Sequence, residues 1–480
     1  MKNNLADYPL NGFFDESIAE DGTPRACSVE LFKQLEALTF KEFTELKNNA
    51  DKTIAQMGIS FTIYSDKGNI DRLWPFDVFP RTISSDDWSE ISIGLKQRLK
   101  ALNMFIEDVY NDQAIFKAGI IPEEVITSSK DYRPECKGMK LKHTSWASVC
   151  GSDLVRAGDG QVYVLEDNLR VPSGVSYMLE NRAVMKQVMP EVFQDINIMP
   201  VDQYTSNLLT MLRSISPNDT PDPEVVVLTP GIFNSAYYEH AYLAHEMGAE
   251  LVEGGDLIVK EDDCVYMRNI EGLKKVDVIY RRIDDAFLDP DVFRADSTLG
   301  VKGLMRAWRA GNVGIANAPG CGVADDKVVY SYVPDMIRFY LNEEPLVQNV
   351  PSYLCSVEKD REYVLAHLNE LVVKPANESG GYGLLIGPHA SPEELDEFRQ
   401  LIIENPRNYI AQPTLKLSTV PTLCEEGIEP RHVDLRPFIL QGAMSYVTAG
   451  GLTRVALKKG SLVVNSSQGG GSKDTWIVKS

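Results

Sequence analysis

Between residues 222 and 325 short apolar runs alternate with helical patterns, and this alternation restricts the topology more than any other feature of the chain. Val225-Val226-Val227-Leu228-Thr229 reads as a buried strand behind a polar, proline-rich linker at 217–223. A helix is predicted over 236–247 with Gly248 as its cap, then strands at 249–252, 276–282 and 314–317. Strands that return through helices run parallel, so a parallel α/β sheet is expected here.

The flanks read differently. Ile91, Leu95, Leu99, Leu102, Ile106 and Val109 recur at steps of three and four, which predicts an amphipathic helix over 89–118. Around 150–170, two alternating segments flank Ala157-Gly158-Asp159-Gly160, a strand, tight turn, strand pattern. In the last third, strands are predicted at 370–375, 409–412, 433–440 and 462–464, with an acidic helix near 392–404, an α+β pattern. At roughly 150 residues per domain, the 480-residue chain suggests about three units.

Lys and Arg total 48 against 69 Asp and Glu, a formal charge of −21 that repels a polyanionic backbone, so nucleic acid is not expected as a partner. No run approaches the roughly 18 apolar residues of a membrane-spanning helix. The start, Met1 to Asp7, lacks the apolar run of a secretory leader. Seven scattered cysteines, never spaced C-x-x-C, argue against a disulfide framework and a cysteine-rich zinc site. A cytoplasmic protein with no membrane partner is the expectation.

Three groups of residues bear chemistry. Lys374 leaves a predicted strand into Ser379-Gly380-Gly381-Tyr382-Gly383, where glycines allow backbone amides to face phosphate oxygens; a plain glycine-rich hairpin is the alternative. Glu166 and Asn168 are two apart and point to one side of an extended chain, where Asp153 of the paired strand can join them. Such a hard-oxygen cluster suits Mg²⁺, unless these are merely solvated strand-end residues. Lys327, Arg436 and Arg454 are cations in a chain with few to spare, and Asn465 precedes a second glycine-rich run. Arg281 and Arg282, followed by Asp284 and Asp285, could clamp a substrate carboxylate or form a surface salt-bridge patch.

Together these pieces resemble the ATP-grasp carboxylate–amine ligases of the glutathione synthetase and D-alanine–D-alanine ligase type, in which an Asp precedes Glu-x-Asn across a hairpin. Asp326-Lys327-Val328 and Lys374 resemble the two nucleotide-contacting lysines, 379–383 the glycine loop over the phosphates, and Ala411-Gln412 the hinge that reads adenine. Asp434-Leu435-Arg436, Arg454 and Asn465 resemble the late Arg and Asn-Gly-Gly elements. Here the metal-type residues precede the lysines, the reverse of the usual order. The runs 164–177 and 465–476 closely resemble the circularly permuted ATP-grasp type 2 family, described as glutathionylspermidine synthase-like.

The resemblance implies an α/β (α+β) chain with a circularly permuted ATP-grasp fold. Its parts would be an N-terminal extension (1–60), a permuted part carrying the metal site (61–200), a parallel α/β pre-ATP-grasp domain (201–340) and a nucleotide-binding part (341–480). It implies ATP and Mg²⁺ as cofactors. Lys327, Lys374, Ser379, Gly380, Gly381, Tyr382, Gly383, Gln412 and Asn465 would bind nucleotide, and Asp153, Glu166 and Asn168 the metal. Arg436 and Arg454 would stabilise the transferring phosphoryl group, and Arg282 would hold substrate carboxylate. The implied reaction joins a small-molecule or peptide carboxylate to an amine through an acyl phosphate. An ATP-binding partner protein without ligase activity and an ATP-grasp phosphotransferase are the alternatives.

Overall fold

Strands from the first and last thirds of the chain complete one sheet. The computed structural model describes residues 7–63, 70–377, 383–462, 464 and 469–479. Its largest sheet has ten strands. Seven follow one another across it: Gln348–Asn349, Val162–Asn168, Val149–Arg156, Gly427–Arg436, Leu452–Val455, Gly471–Val478 and Phe76–Ser84. Thr419–Cys424 pairs with Gly427–Arg436, while Phe438–Gln441 lies against Val149–Arg156 and carries Ser445–Val447. The late strand Gly471–Val478 runs parallel to the early strand Phe76–Ser84, so segments from opposite ends of the sequence are neighbours.

That late strand was not legible as one. It contains no apolar alternation at its start, yet Ser472, Lys473, Asp474 and Thr475 are all buried. Burial of charge is tolerable because each charge is paired. Lys473 Nζ bonds to Asp77 and donates to the carbonyls of Phe79 (3.0 Å) and Pro421 (2.9 Å). Arg182 Nε meets Asp474 Oδ2 at 2.7 Å, and Trp476 Nε1 donates to the same oxygen at 2.6 Å. By contrast, the apolar 462–464 run predicted as a strand shows none at its described residues 462 and 464; Val463 lies outside the described residues.

The parallel sheet expected over 222–325 is present, in the order Gly314–Ala316, Val278–Arg281, Val225–Leu228, Glu250–Val252, with all three pairings parallel. Helix Tyr237–Met247 ends at Gly248 in the left-handed region. An antiparallel three-stranded sheet, Leu257–Val259, Val265–Asn269 and Gly272–Val276, is inserted between two of these strands.

Another sheet, antiparallel, contains Tyr353–Leu354, Tyr409–Pro413, Leu371–Pro375 and Leu385–Ile386. With helices Glu358–Ala366 and Pro392–Glu404 it encloses a separate apolar cluster that includes Val364, Val373, Leu385 and Ile402. Ser391 and Glu394 form a reciprocal cap at the start of the second helix. This unit bears Lys374 and faces the large sheet.

Two predicted elements have bounds other than expected. The helix read over 89–118 runs Ser85–Tyr110 and stops where Gln113 adopts a left-handed conformation; Asp108 then accepts from the Ala114 and Ile115 amides at 2.7 and 2.9 Å. The strand read over 433–440 is two strands separated by Pro437, which lacks the amide needed to continue the ladder. Among the described residues no helix is long and apolar enough to cross a membrane.

The buried Lys473–Asp77 pair joins the two ends of the chain. Lys473→Met strands a buried carboxylate and is expected to lower stability by about 3–5 kcal/mol, whereas adding Asp77→Asn recovers most of it. Urea unfolding of the single and double variants checks this.

Candidate active site

The hairpin that carries the acidic residues turns at Ala157–Gly160, with Gly160 at φ +80° and its amide 2.9 Å from the Ala157 carbonyl. Strand register opposes Gly151 to Asn168 and Asp153 to Glu166, so the side chains of Asp153, Glu166 and Asn168 share a face. The next pair is Leu154 with Val164, which leaves Leu165 as the extra residue of a β-bulge. The bulge lets Leu165 line an apolar cavity while Glu166 faces the charged site. Asp167 points to the other face, where Arg98 of the long helix holds it at 2.8 Å.

Two arginines from the last third close on this face. Leu435 lies opposite Leu154, which brings Arg436 beside Asp153. Its Nε and Nη2 reach the two Asp153 oxygens at 2.5 and 2.8 Å. A side chain at Gly151 would crowd this arginine, because a Cβ there would lie 3.3 Å from Arg436 Cδ. Arg454, paired in register with Asp434, bonds Asp434 and also reaches Asp153 Oδ2 at 2.7 Å. Burial alone would raise the Asp153 carboxyl, but Arg436 and Arg454 hold it well below the usual carboxylate range. For Asp434 burial prevails, and its carboxyl is pushed up despite Arg454. Both oxygens of Asp153 are thus engaged by guanidinium groups, while Glu166 and Asn168 offer a carboxylate and an amide oxygen to the cleft.

The lysines come from different elements. Lys327 begins the short helix Lys327–Tyr330, capped by the Asp326 side chain. Its amide donates to the Ala376 carbonyl at 2.9 Å, tying it to the end of the Lys374 strand, and its Nζ lies 3.1 Å from Glu166 Oε2. Lys374 is half-buried near the same carboxylate. Burial depresses its ammonium from the ordinary 10.5 to about 8; Glu166 opposes that shift and Lys327 adds to it. Asn377, three residues on, is near them with a buried Oδ1 that has no hydrogen-bond partner among the described residues. An uncommitted acceptor and two closely set cations are chemically suited to a phosphate-bearing ligand with an associated cation.

Beside Lys374 lies a cavity of ≈ 160 Å³ whose apolar lining includes Leu165, Val350, Leu384 and Ile386, with Gln412 at its edge. Gln412 is buried, and its amide donates to Ser352 Oγ at 2.9 Å. Gly383 takes φ +67° at the end of the glycine loop. Ser379, Gly380, Gly381, Tyr382 and Asn465 lie outside the described residues.

Arg282 is buried on the turn that follows Asn168, where Arg436 also donates to the Ser173 carbonyl at 3.3 Å. The Arg282 guanidinium bonds Glu239 (3.0 Å), the Pro172 carbonyl (2.8 Å) and Ser173 Oγ (2.7 Å). Glu239 in turn accepts from the Gly174 and Ser176 amides at 2.7 and 3.1 Å. The pair therefore braces the turn after Asn168, a different position from the carboxylate clamp expected of it. Arg281 is likewise fully buried, 2.6 Å from Asp285, and is not a surface patch.

Sequence reading passed over Arg170 and Asp325, which orient the same turn. Asp325 accepts from the Leu169 amide at 2.5 Å and from Arg170 Nε at 2.6 Å. Burial lifts its carboxyl to about 6 despite Arg170. The adjacency of Asp325 to the chosen Lys327 was a usable signal. Asp434 stands out in the sequence only as a neighbour of Arg436.

An antiparallel lysine-bearing unit set against a large sheet bearing carboxylate and arginines is the arrangement of an ATP-grasp fold, here with its strands in permuted order. The model of the family described as circularly permuted ATP-grasp type 2 matches residues 80–456, and the chain belongs to that family. It is 54% identical to an uncharacterized protein of Synechocystis sp. over 99% of both chains. An uncharacterized protein of Mycobacterium tuberculosis is 49% identical over 97% of this chain and 84% of its own. A Frankia casuarinae protein named provisionally as a glutamate–cysteine ligase is 43% identical, but this chain covers 55% of it. Among solved structures, a glutathione synthetase like-effector from Globodera pallida superposes with TM-score 0.60 at 12% identity, over 92% of this chain and 98% of that one, a likeness of fold.

The depressed Lys374 ammonium has a signed consequence. Below about pH 8 the lysine is charged in both folded and unfolded chains and the burial penalty is fully present; between about 8 and 10.5 only the unfolded chain stays protonated. Its contribution therefore makes stability rise with pH across that window. The difference in urea midpoint between the wild type and Lys374→Met should shift in the wild type's favour from pH 7.5 to 9.5, as followed by paired unfolding curves.

Proposed function

We propose that this chain is an ATP- and Mg²⁺-dependent carboxylate–amine (or thiol) ligase that releases ADP. The observation that carries the reading is the convergence of Lys327, Lys374 and Glu166, from three separate segments, beside an apolar slot. The ligase-like names of the Frankia and Globodera proteins support the reaction class.

The base would enter the apolar slot beside Gln412, and the phosphates would run past Lys374 and Lys327. Glu166 and Asn168 are hard-oxygen donors of the kind that hold Mg²⁺ together with waters and nucleotide phosphates. Mg²⁺ bound there would offset charge on the phosphate oxygens. Asp153 acts otherwise. With both oxygens on arginines, it aims Arg436 and Arg454 at the face where negative charge develops during transfer. Arg282 positions the 172–174 turn and with it Asn168.

In the first step a substrate carboxylate oxygen attacks the γ-phosphorus, the bond to the β-phosphate oxygen breaks, and ADP leaves. In the second, a deprotonated amine attacks the acyl carbon, the carbon–oxygen bond to phosphate breaks, and an amide and inorganic phosphate remain. Peptide, glutathione-like and polyamine substrates all suit this chemistry. The site's substrates would be small-molecule or peptide acids and amines, in a cytoplasmic setting.

Product mass spectrometry after incubation with ATP, Mg²⁺ and pooled metabolites tests the reaction: a condensed amide with ADP supports it. ADP with a stable phosphorylated product and no amine requirement would establish a phosphotransferase instead. Glu166→Ala is expected to reduce ATP turnover by about 10²-fold or more while leaving the fold intact, as read from the circular dichroism spectrum. Lys374→Met should weaken ATP binding by about tenfold or more, beyond what an exposed ion pair contributes. Nucleotide phosphates would also return the lysine toward its ordinary pKa, so binding at pH 8.5 should take up a proton, a quantity read from calorimetry in two buffers of different ionisation heat.

A further inference from the structure

Lys416, Lys458 and Lys459 crowd one cleft, and none has an ion-pair partner among the described residues. In a chain of net charge −21, three uncommitted ammonium groups in one place are out of proportion. The cleft measures ≈ 770 Å³ and its inner wall holds Arg431 and His432. One carboxylate, Glu429, lines it, and this is already taken by Arg431 at 2.7 Å. The His432 ring is held by the Leu417 carbonyl, 3.0 Å from Nδ1, and by the edge of Phe13, with ring centroids 4.7 Å apart.

The N-terminal segment builds part of this cleft. Phe13 and its neighbours form one wall, and the chain beyond them is sewn to the large sheet. The Glu16 amide donates to the Thr419 carbonyl at 3.0 Å, and the Glu16 carboxylate bonds Arg81 (2.7 Å) and Ser418 (2.5 Å), all buried. The wall is therefore a fixed part of the fold. On its other side the cleft shares Thr414, Leu415 and Leu462 with the apolar slot beside Lys374, so the two spaces adjoin.

The volume falls within the range of small-molecule sites. With Arg431 and Glu429 offsetting each other, the three lysines leave a net positive field within walls of lower dielectric. Lysines act as mobile point charges and impose no fork geometry, so they suit several anionic groups on one molecule. We propose that this cleft binds a second small ligand carrying two or more anionic groups, oligophosphate or oligocarboxylate, at a place separate from the nucleotide. The assignment does not depend on the ligase reading.

The test is calorimetry on the full chain with Mg²⁺ and a non-hydrolysable ATP analogue present in excess. Tripolyphosphate, α-linked tri-glutamate and acetate are titrated separately, at low and at high salt. The expected result is stoichiometric binding of tripolyphosphate or tri-glutamate, weakened by salt, with none for acetate. The variant Lys416→Gln/Lys458→Gln/Lys459→Gln should lose about tenfold or more in that affinity and keep that for the ATP analogue within about twofold. Binding of one probe alone identifies phosphate or carboxylate as the recognised group. If neither probe binds, or the triple variant binds as tightly as wild type, the proposal is overturned. Failure of the ATP analogue to bind would count against the nucleotide reading alone, because the readout here is the difference between wild type and variant.

Discussion

The Asp153 carboxylate, caught between two guanidinium groups, is the contact on which the arrangement of the site depends. Asp153 stands on a strand of the first third of the chain; Arg436 and Arg454 stand on strands of the last third. Their bonds cross neighbouring strands of one sheet, so the pairing both joins distant segments and fixes where two positive charges sit. Removing charges of this kind from water is costly, and only the mutual attraction and full hydrogen bonding of the cluster make it tolerable.

The same logic runs through the molecule. Lys473 with Asp77, Arg182 with Asp474, Arg81 with Glu16 and Arg98 with Asp167 are all buried pairs. The first three hold segments near the ends of the chain to the central sheet, and the first two explain how a C-terminal strand carrying both a lysine and an aspartate can lie in the interior. The lysines of the cleft differ. Lys327 and Lys374 are set close together around a single carboxylate, Glu166, so two ammonium groups share one counter-charge.

The hairpin was readable because its information is local. Asp159-Gly160 sets the turn, and a two-residue period sets which side Glu166 and Asn168 face. The parallel sheet was readable from Val-rich runs between helices for the same reason. The C-terminal strand was not, since its burial rests on partners hundreds of residues away, and Leu165 could not be assigned to a bulge without the register. The partner of Arg282 was equally out of reach, because Glu239 lies 43 residues away while the acidic residues beside Arg282 in sequence, Asp284 and Asp285, do not pair with it.

The resemblance to the permuted ATP-grasp family rested on motifs visible in the sequence, and the shared face of Asp153, Glu166 and Asn168 followed from residue spacing, since side-chain direction along a strand and the geometry of a tight turn are properties of a few adjacent residues. What required the folded chain was the use made of each charge: Asp153 directed to arginines, Arg282 to a turn, and three lysines left over at the edge of the N-terminal segment. Which charges neutralise one another depends on distances across a sheet, and those distances exist only once segments from both ends of the polypeptide have packed together.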